Sequence, residues 1–249
     1  MDAQQSAAQA AVQFLEIKTE SRERTYSLRS LTGLTYAVLA FGALNGLLAL
    51  ASIAWLAHQW QLLADMGRNA FASRAEMIAA AKASDALGKV LSTLFLITLY
   101  ATNFVSCFWI YRAACNTRAL GARRLQTSPG WAVGWFFVPF MWLYKPFGAI
   151  VEIWNGSASP EGWRQRPVPA LLRYWWAAWI SANLFGYVVW LIANAGKTIP
   201  SLIFATQATM LAMALNGLGV TLYLTVIWRI WRIQTDSPAR ANELAAAFS

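Results

Sequence analysis

Apolar residues along this chain gather into four long runs, at about 31–56, 88–111, 170–194 and 203–230, with polar stretches between them. Each run meets or exceeds the roughly 20 residues that carry a helix across a hydrocarbon core. The pattern predicts an all-α polytopic membrane protein with one membrane domain over 31–233. A fifth apolar stretch, Ser128 to Phe147, behaves differently because it carries Pro129, Pro139 and Pro146 and holds Lys145 near its end. From the Pro129 turn to Lys145 a helix would rise only about 21 Å against a core of about 30 Å, and Pro139 removes a backbone donor midway. The expectation is a broken element over 129–157. Its first helix runs from about Gly130 to Val138, the chain breaks at Pro139, and a second helix starts near Pro146 and passes Ile153 to about Ser157. Such a break is tolerated at membrane depth only where protein or water covers its backbone, so the element is either re-entrant or flat at the interface. Trp131, Trp135, Trp142 and Trp154 suit headgroup level, where an apolar ring and a polar N–H are both accommodated.

The polar stretches complete the outline. Residues 57–87 read as a mixed-charge, Ala-rich external loop with some helix, and Ala195 to Ser201 as a tight external turn. Residues 1–30 are polar and Ala/Gln-rich, with no compact apolar stretch and cleavage site before the first span, which predicts an uncleaved anchor. Within them Ala7 to Ile17 reads as a frayed tail, with a short amphipathic surface helix as the alternative. Residues 234–249 read as a second tail.

Composition agrees with the membrane reading. The chain has 249 residues, 58% hydrophobic and 12% charged, with 14 Trp, whereas globular proteins average about 45–50% apolar and about 25% charged. The net charge of +9 could suggest nucleic acid, but the cations flank apolar helices instead of sharing one soluble face, so nucleic acid is not expected as a partner.

Charge placement decides the topology. With four spans and cytoplasmic termini, the cytoplasmic side holds Lys18, Arg22, Arg24, Arg29, Arg112, Arg118, Arg123, Arg124, Lys145, Arg164, Arg166, Arg173, Arg229, Arg232 and Arg240, and only Arg68, Arg74, Lys82, Lys89 and Lys197 lie opposite. If the proline-rich stretch crossed as well, everything after it would change side and the bias would vanish. The positive-inside rule therefore selects four spans.

The run YRAACNTRALGARRLQTSPGWAVGWFFVPFMWLYKPFGAIVEIWNGS, Tyr111 to Ser157, resembles the signature of a bacterial multi-pass membrane family, domain of unknown function 4328. The matching positions are Arg112, Asn116, Leu120, Gly121, Ser128, Pro129, Gly130, Trp131, Gly134, Trp135, Pro139, Lys145, Pro146, Glu152, Ile153 and Trp154. The likeness extends over about 85–235 and departs at Asn155, where a basic residue would be expected. It implies a multi-pass protein of a bacterial inner membrane and brings no activity with it.

Two constellations stand out. Arg112, Asn116 and Arg118 leave the second span, while Lys145 and Glu152 lie seven apart on one face of the predicted second helix. They form either a structural network that fixes the broken element, or an anion or lipid-headgroup site with Arg112, Arg118 and Lys145 as donors near a helix N-terminus. Arg112, Lys145 and Glu152 are expected close together. Independently, each span carries an asparagine: Asn45, Asn103, Asn183 and Asn216. Asn45 and Asn216 sit in identical pentapeptides, Ala43 to Leu47 and Ala214 to Leu218, and Gly42 and Gly46 have GxxxG spacing. Interhelical amide bonds and close packing explain this pattern. A polar pathway lined by the amides is the alternative.

Other chemistry is sparse. His58 is the one histidine, so a histidine pair for a metal is excluded, and no HExxH, GxSxG or P-loop occurs. Cys107 and Cys115 do not make a disulfide framework, and Cys115 is at most a reactive or palmitoylated thiol. Ser128 reads as a helix cap. Near the cytoplasmic face the carboxylates reduce to Glu152 and Glu161, with Gly156 and Pro160 between them. No cofactor or metal is expected. The expected function is a non-enzymatic membrane component whose partners are the bilayer and an anionic headgroup or another membrane protein. A small transporter or channel subunit is the alternative, and a lipid-modifying enzyme using Glu152 comes third.

Overall fold

A computed structural model describes residues 26–195 and 198–237. Among them no strand occurs, and four helices are long and apolar enough to cross a membrane. They are α1 (Thr32–Gly67), α2 (Arg74–Ala119), α5 (Ala170–Ala195) and α6 (Ile199–Thr235). Between α2 and α5 lie two shorter helices, α3 (Pro129–Gly134) and α4 (Lys145–Ala158), with 3₁₀ turns at Trp135–Phe137, Met141–Leu143 and Trp163–Gln165. The expected amphipathic segment at 7–17 and most of the second tail fall outside the described residues.

Polar groups bound uncharged stretches of helix long enough to cross hydrocarbon. On α2, Lys89 and Arg112 are 23 residues apart, about 35 Å of helix, and on α5 Arg173 and Asn194 are 21 apart, about 32 Å; both match a core of about 30 Å. At 46 residues, or about 69 Å, α2 overshoots that core at both ends.

The overshoot corrects one expectation. Residues 57–87 are not a loop: α1 continues to Gly67, α2 starts at Arg74, and only Arg68–Ser73 are non-helical. Ala-rich polar sequence has high helix propensity and needs no membrane to stay helical once two helices zip together. The zipper is specific. Trp55 on α1 donates from Nε1 to the Ser84 carbonyl at 3.0 Å and its hydroxyl at 3.2 Å, and Ser84 donates to Gln59. Gly88 on α2 lies under the Trp55 ring, where a Cβ would approach ring carbon Cζ2 to 2.2 Å.

α1 packs between α2 and α6, and α5 packs on α6. The large buried side chains gather at one end of the bundle, where Leu31, Trp109, Ile150, Leu172, Ile227 and Ile230 are 0–2% exposed and α4 closes the ends of α2 and α6. Two tryptophans on other helices fix the start of α1. Trp109 donates to Thr35 Oγ1 at 2.8 Å and Trp231 to Thr32 Oγ1 at 3.4 Å. Mid-bundle packing relies on small residues instead: Gly42 faces Leu224, and Asn45, Ala49 and Ser52 are buried, as expected where van der Waals fit replaces hydrophobic drive.

The broken element forms as expected in outline. Its first helix is shorter than the predicted 130–138, ending at Gly134 and tightening into the 3₁₀ turn at 135–137. The break spans Val138–Phe140, with Phe140 at φ +62°, an uncommon conformation for a bulky residue. The second helix begins at Lys145 with Pro146 in its first turn, where the missing N–H costs nothing.

Candidate functional site

α2 ends in a left-handed turn at Gly121 (φ +96°), and the chain kinks again at Arg124 (φ +55°). The loop that follows is held from both sides at Thr127. Glu152 on α4 accepts from the Gln126 and Thr127 N–H groups at 3.2 and 3.0 Å, while Arg118 on α2 donates to the Thr127 carbonyl. Arg118 also donates to the Ala114 carbonyl at 3.0 Å and lies 5.7 Å from the centre of the Tyr26 ring. Burial raises the Glu152 carboxyl above its ordinary range, opposed by the two backbone N–H groups and the Arg118 charge. Ser128, next along, caps α3 by accepting from Trp131 N–H at 3.4 Å, as the sequence indicates.

Deeper in the same end lies a polar cluster. Asn116, fully buried, accepts from the Arg29 N–H at 3.1 Å and donates to the Arg29 carbonyl at 2.8 Å and to Gln234 Oε1 at 3.1 Å. Gln234 Nε2 reaches the Ala113 carbonyl (3.0 Å), Ser157 Oγ (2.8 Å) and Thr117 Oγ1 (3.3 Å). These bonds tie the entering chain, α2, α4 and α6 together. Asn116 is legible in the sequence, but Gln234, which falls in the stretch expected as a tail, Thr117 and Ser157 are not, since an isolated glutamine at a helix end carries no periodic signal.

The outer surface is basic and braced. Trp163 donates to the Arg123 carbonyl at 3.0 Å and Arg164 to the Arg124 carbonyl at 2.8 Å, with the Arg164 guanidinium over the Trp163 ring. Asn155 donates to the Arg166 carbonyl at 3.3 Å. The bonds use backbone carbonyls, so the side chains of Arg123 and Arg124 stay exposed beside exposed Arg164 and Arg166, with Glu161 the nearby exposed acid in this sequence.

The anticipated trio of Arg112, Lys145 and Glu152 is not brought together. Lys145 is exposed, with Nζ 5.6 Å from the Trp135 ring centre and 5.7 Å from that of Tyr144, and neither it nor Arg112 forms an ion pair among the described residues. Seven helical residues separate Lys145 from Glu152 by about 10 Å along the axis, so a shared face does not mean contact. The cation that acts on Glu152 is Arg118.

The four amides also diverge. Asn45 donates across to the Phe95 carbonyl and Thr98 Oγ1, both at 3.1 Å, whereas Asn183 bonds its own helix at Trp179 and is exposed, as is Asn103. Asn216 Oδ1 has no partner among the described residues. The matching pentapeptides instead contribute Ala43, Gly46 and Leu47, with Ala214, Gly217 and Leu218, to an apolar groove of about 820 Å³ between α1 and α6. No polar path joins the amides. Among the described residues no group of His, Cys, Asp or Glu gathers as a metal site.

Compared with known proteins, residues 72–233 match the family model described as Domain of unknown function (DUF4328). No curated protein and no solved structure matches the chain.

Proposed function

The chain belongs to the family described as Domain of unknown function (DUF4328), and we propose that it is a non-enzymatic four-span component of a bacterial inner membrane that holds anionic lipid headgroups at its basic end. In this reading both termini face the cytoplasm, and 129–157 enters and leaves the membrane on that side. The observation that carries it is the cross-brace in which Trp163 and Arg164 bind the carbonyls of Arg123 and Arg124. The brace fixes the backbone without consuming the Arg123 and Arg124 side chains, so both guanidinium groups are left to a phosphate at a fixed place on the surface. Basic residues near an anionic leaflet contribute about 1 kcal/mol each. The positive-inside bias supports placing this end at the cytoplasmic leaflet.

The test compares co-purified lipids, by mass spectrometry, between wild type and the Arg123→Gln/Arg124→Gln double variant. Both substitutions keep the carbonyls that Trp163 and Arg164 read. Two lost cations at about 1 kcal/mol each predict roughly a 30-fold weaker hold on phosphatidylglycerol and cardiolipin. An anionic lipid content equal to wild type would refute the proposal.

A further inference from the structure

The depth of the broken element can be measured against α5. Arg173, exposed near the start of α5, marks the level where hydrocarbon begins, because a charged group deeper than this is costly. Trp176 and Trp179 lie three and six residues further in, about 4.5 and 9 Å along the helix. The broken element is packed on these two rings. Trp176 donates to the Leu143 carbonyl at 3.0 Å, and the rings of Trp142 and Phe136 meet Trp179 edge-on with centroids 5.5 and 6.3 Å away. Residues 136–143 therefore sit at the depth of the upper acyl chains, below the headgroups.

Most of the backbone donors after the break are paired at that depth. Around the break the Met141, Trp142, Leu143 and Tyr144 N–H groups find carbonyls at 2.7–3.3 Å, on Pro139, Val138, Phe140 and Met141 respectively. One γ-turn bond, one α-type bond and two 3₁₀ bonds thus engage the four donors that follow the break, as irregular chain inside a membrane requires, while the Val138 and Phe140 N–H groups meet no carbonyl among the described residues. Between the anchored positions, Phe137 and Phe140 point outward at 74% and 79% exposure, the highest among the large hydrophobic side chains of the described residues. Lys145, two residues past Leu143, keeps its ammonium against Trp135 and Tyr144, as a snorkelling cation at the boundary does.

We infer that residues 136–143 are an apolar wedge set among the acyl chains of one leaflet, with Phe137 and Phe140 as its lipid-contacting tip. The partner is the hydrocarbon of the leaflet on the arginine side. Since the segment occupies volume in that leaflet alone, the wedge fits a loosely packed or curved surface better than a tight flat one. The inference rests on the four-span topology proposed above and not on the headgroup contacts of Arg123 and Arg124.

The test is electron paramagnetic resonance of nitroxides at Phe137→Cys and at Phe140→Cys in a Cys107→Ala/Cys115→Ser background, reconstituted in phosphatidylethanolamine/phosphatidylglycerol vesicles. Reference labels are placed at Phe104, exposed within the α2 span, and at Arg124 in the basic loop. Oxygen should collide with the labels at 137 and 140 several-fold more than a water-soluble nickel chelate does, as at 104, with the reverse at 124. Two positions keep the result decisive if one variant folds poorly. Nickel exceeding oxygen at 137 and 140, with 104 still oxygen-rich, would overturn the wedge and spare the spans. Nickel exceeding oxygen at 104 would overturn the four-span reading, and the wedge with it.

Discussion

Replacing Asn116 with leucine removes the two hydrogen bonds that hold the Arg29 backbone and leaves a side chain of similar size in a fully buried site. Each bond is worth about 0.5–1.5 kcal/mol net, so the entering chain should be freed by about 1–3 kcal/mol, or roughly 5- to 150-fold in its local opening equilibrium. Arg29 itself has an exposed side chain, which makes the Arg29–Ser30 bond a reporter for trypsin once the backbone lifts. When reclosing is faster than cutting, cleavage follows the opening equilibrium. The expected result in detergent micelles is a rise of that size in cleavage after Arg29, with cleavage after exposed Arg164 unchanged. Gln234→Leu supplies the contrast: it strips donors from Ala113, Thr117 and Ser157 and should lower thermal stability, yet it keeps both Asn116–Arg29 bonds. A cleavage rate after Arg29 within twofold of wild type in Asn116→Leu, or an equal rise in Gln234→Leu, would refute the clamp.

Two further outcomes are expected. Because burial raises the folded-state value of Glu152 above 4.5, the folded protein binds that proton more readily than the unfolded chain. The destabilisation is absent below the ordinary value, grows as pH rises through the raised one and persists above it; thermal melts of wild type and Glu152→Gln across that window should differ in slope, and parallel curves would contradict the assignment. In α4, an added Cβ at Gly156 would lie 2.6 Å from Thr117 Cγ2, while nothing lies within 4 Å at Gly148. Overpacking of about 1–3 kcal/mol should outweigh a propensity gain of about 1 kcal/mol for Gly156→Ala. Gly148→Ala should raise the melting temperature, and shifts of the same sign in both variants would count against the packing described.

Much of the fold was legible because lipid imposes length and composition on anything that crosses it, so the four spans and the broken element could be read from hydropathy and proline placement. Helix ends were less legible: α1 and α2 run on into water, where hydropathy falls but the Trp55–Ser84 zipper keeps them helical. In the site, the 3.6-residue period put Glu152 and Lys145 on one face, but it could not show that Glu152 turns to the backbone of a loop 25 residues earlier in the chain. Gln234 was invisible for a related reason. Its partners lie 77 to 121 residues away, and no local pattern encodes them.

The unbroken length of α2 couples the two faces of the membrane mechanically. One rod carries the Ser84–Trp55 zipper beyond one face and Asn116 and Arg118 beyond the other. With half its length about 34 Å, a tilt of about 5° displaces each end by about 3 Å, the length of a hydrogen bond. Were a force on the outer hairpin to tilt α2 by that much, the Arg29 clamp and Thr127 would shift by about one bond length, with α2 as the lever.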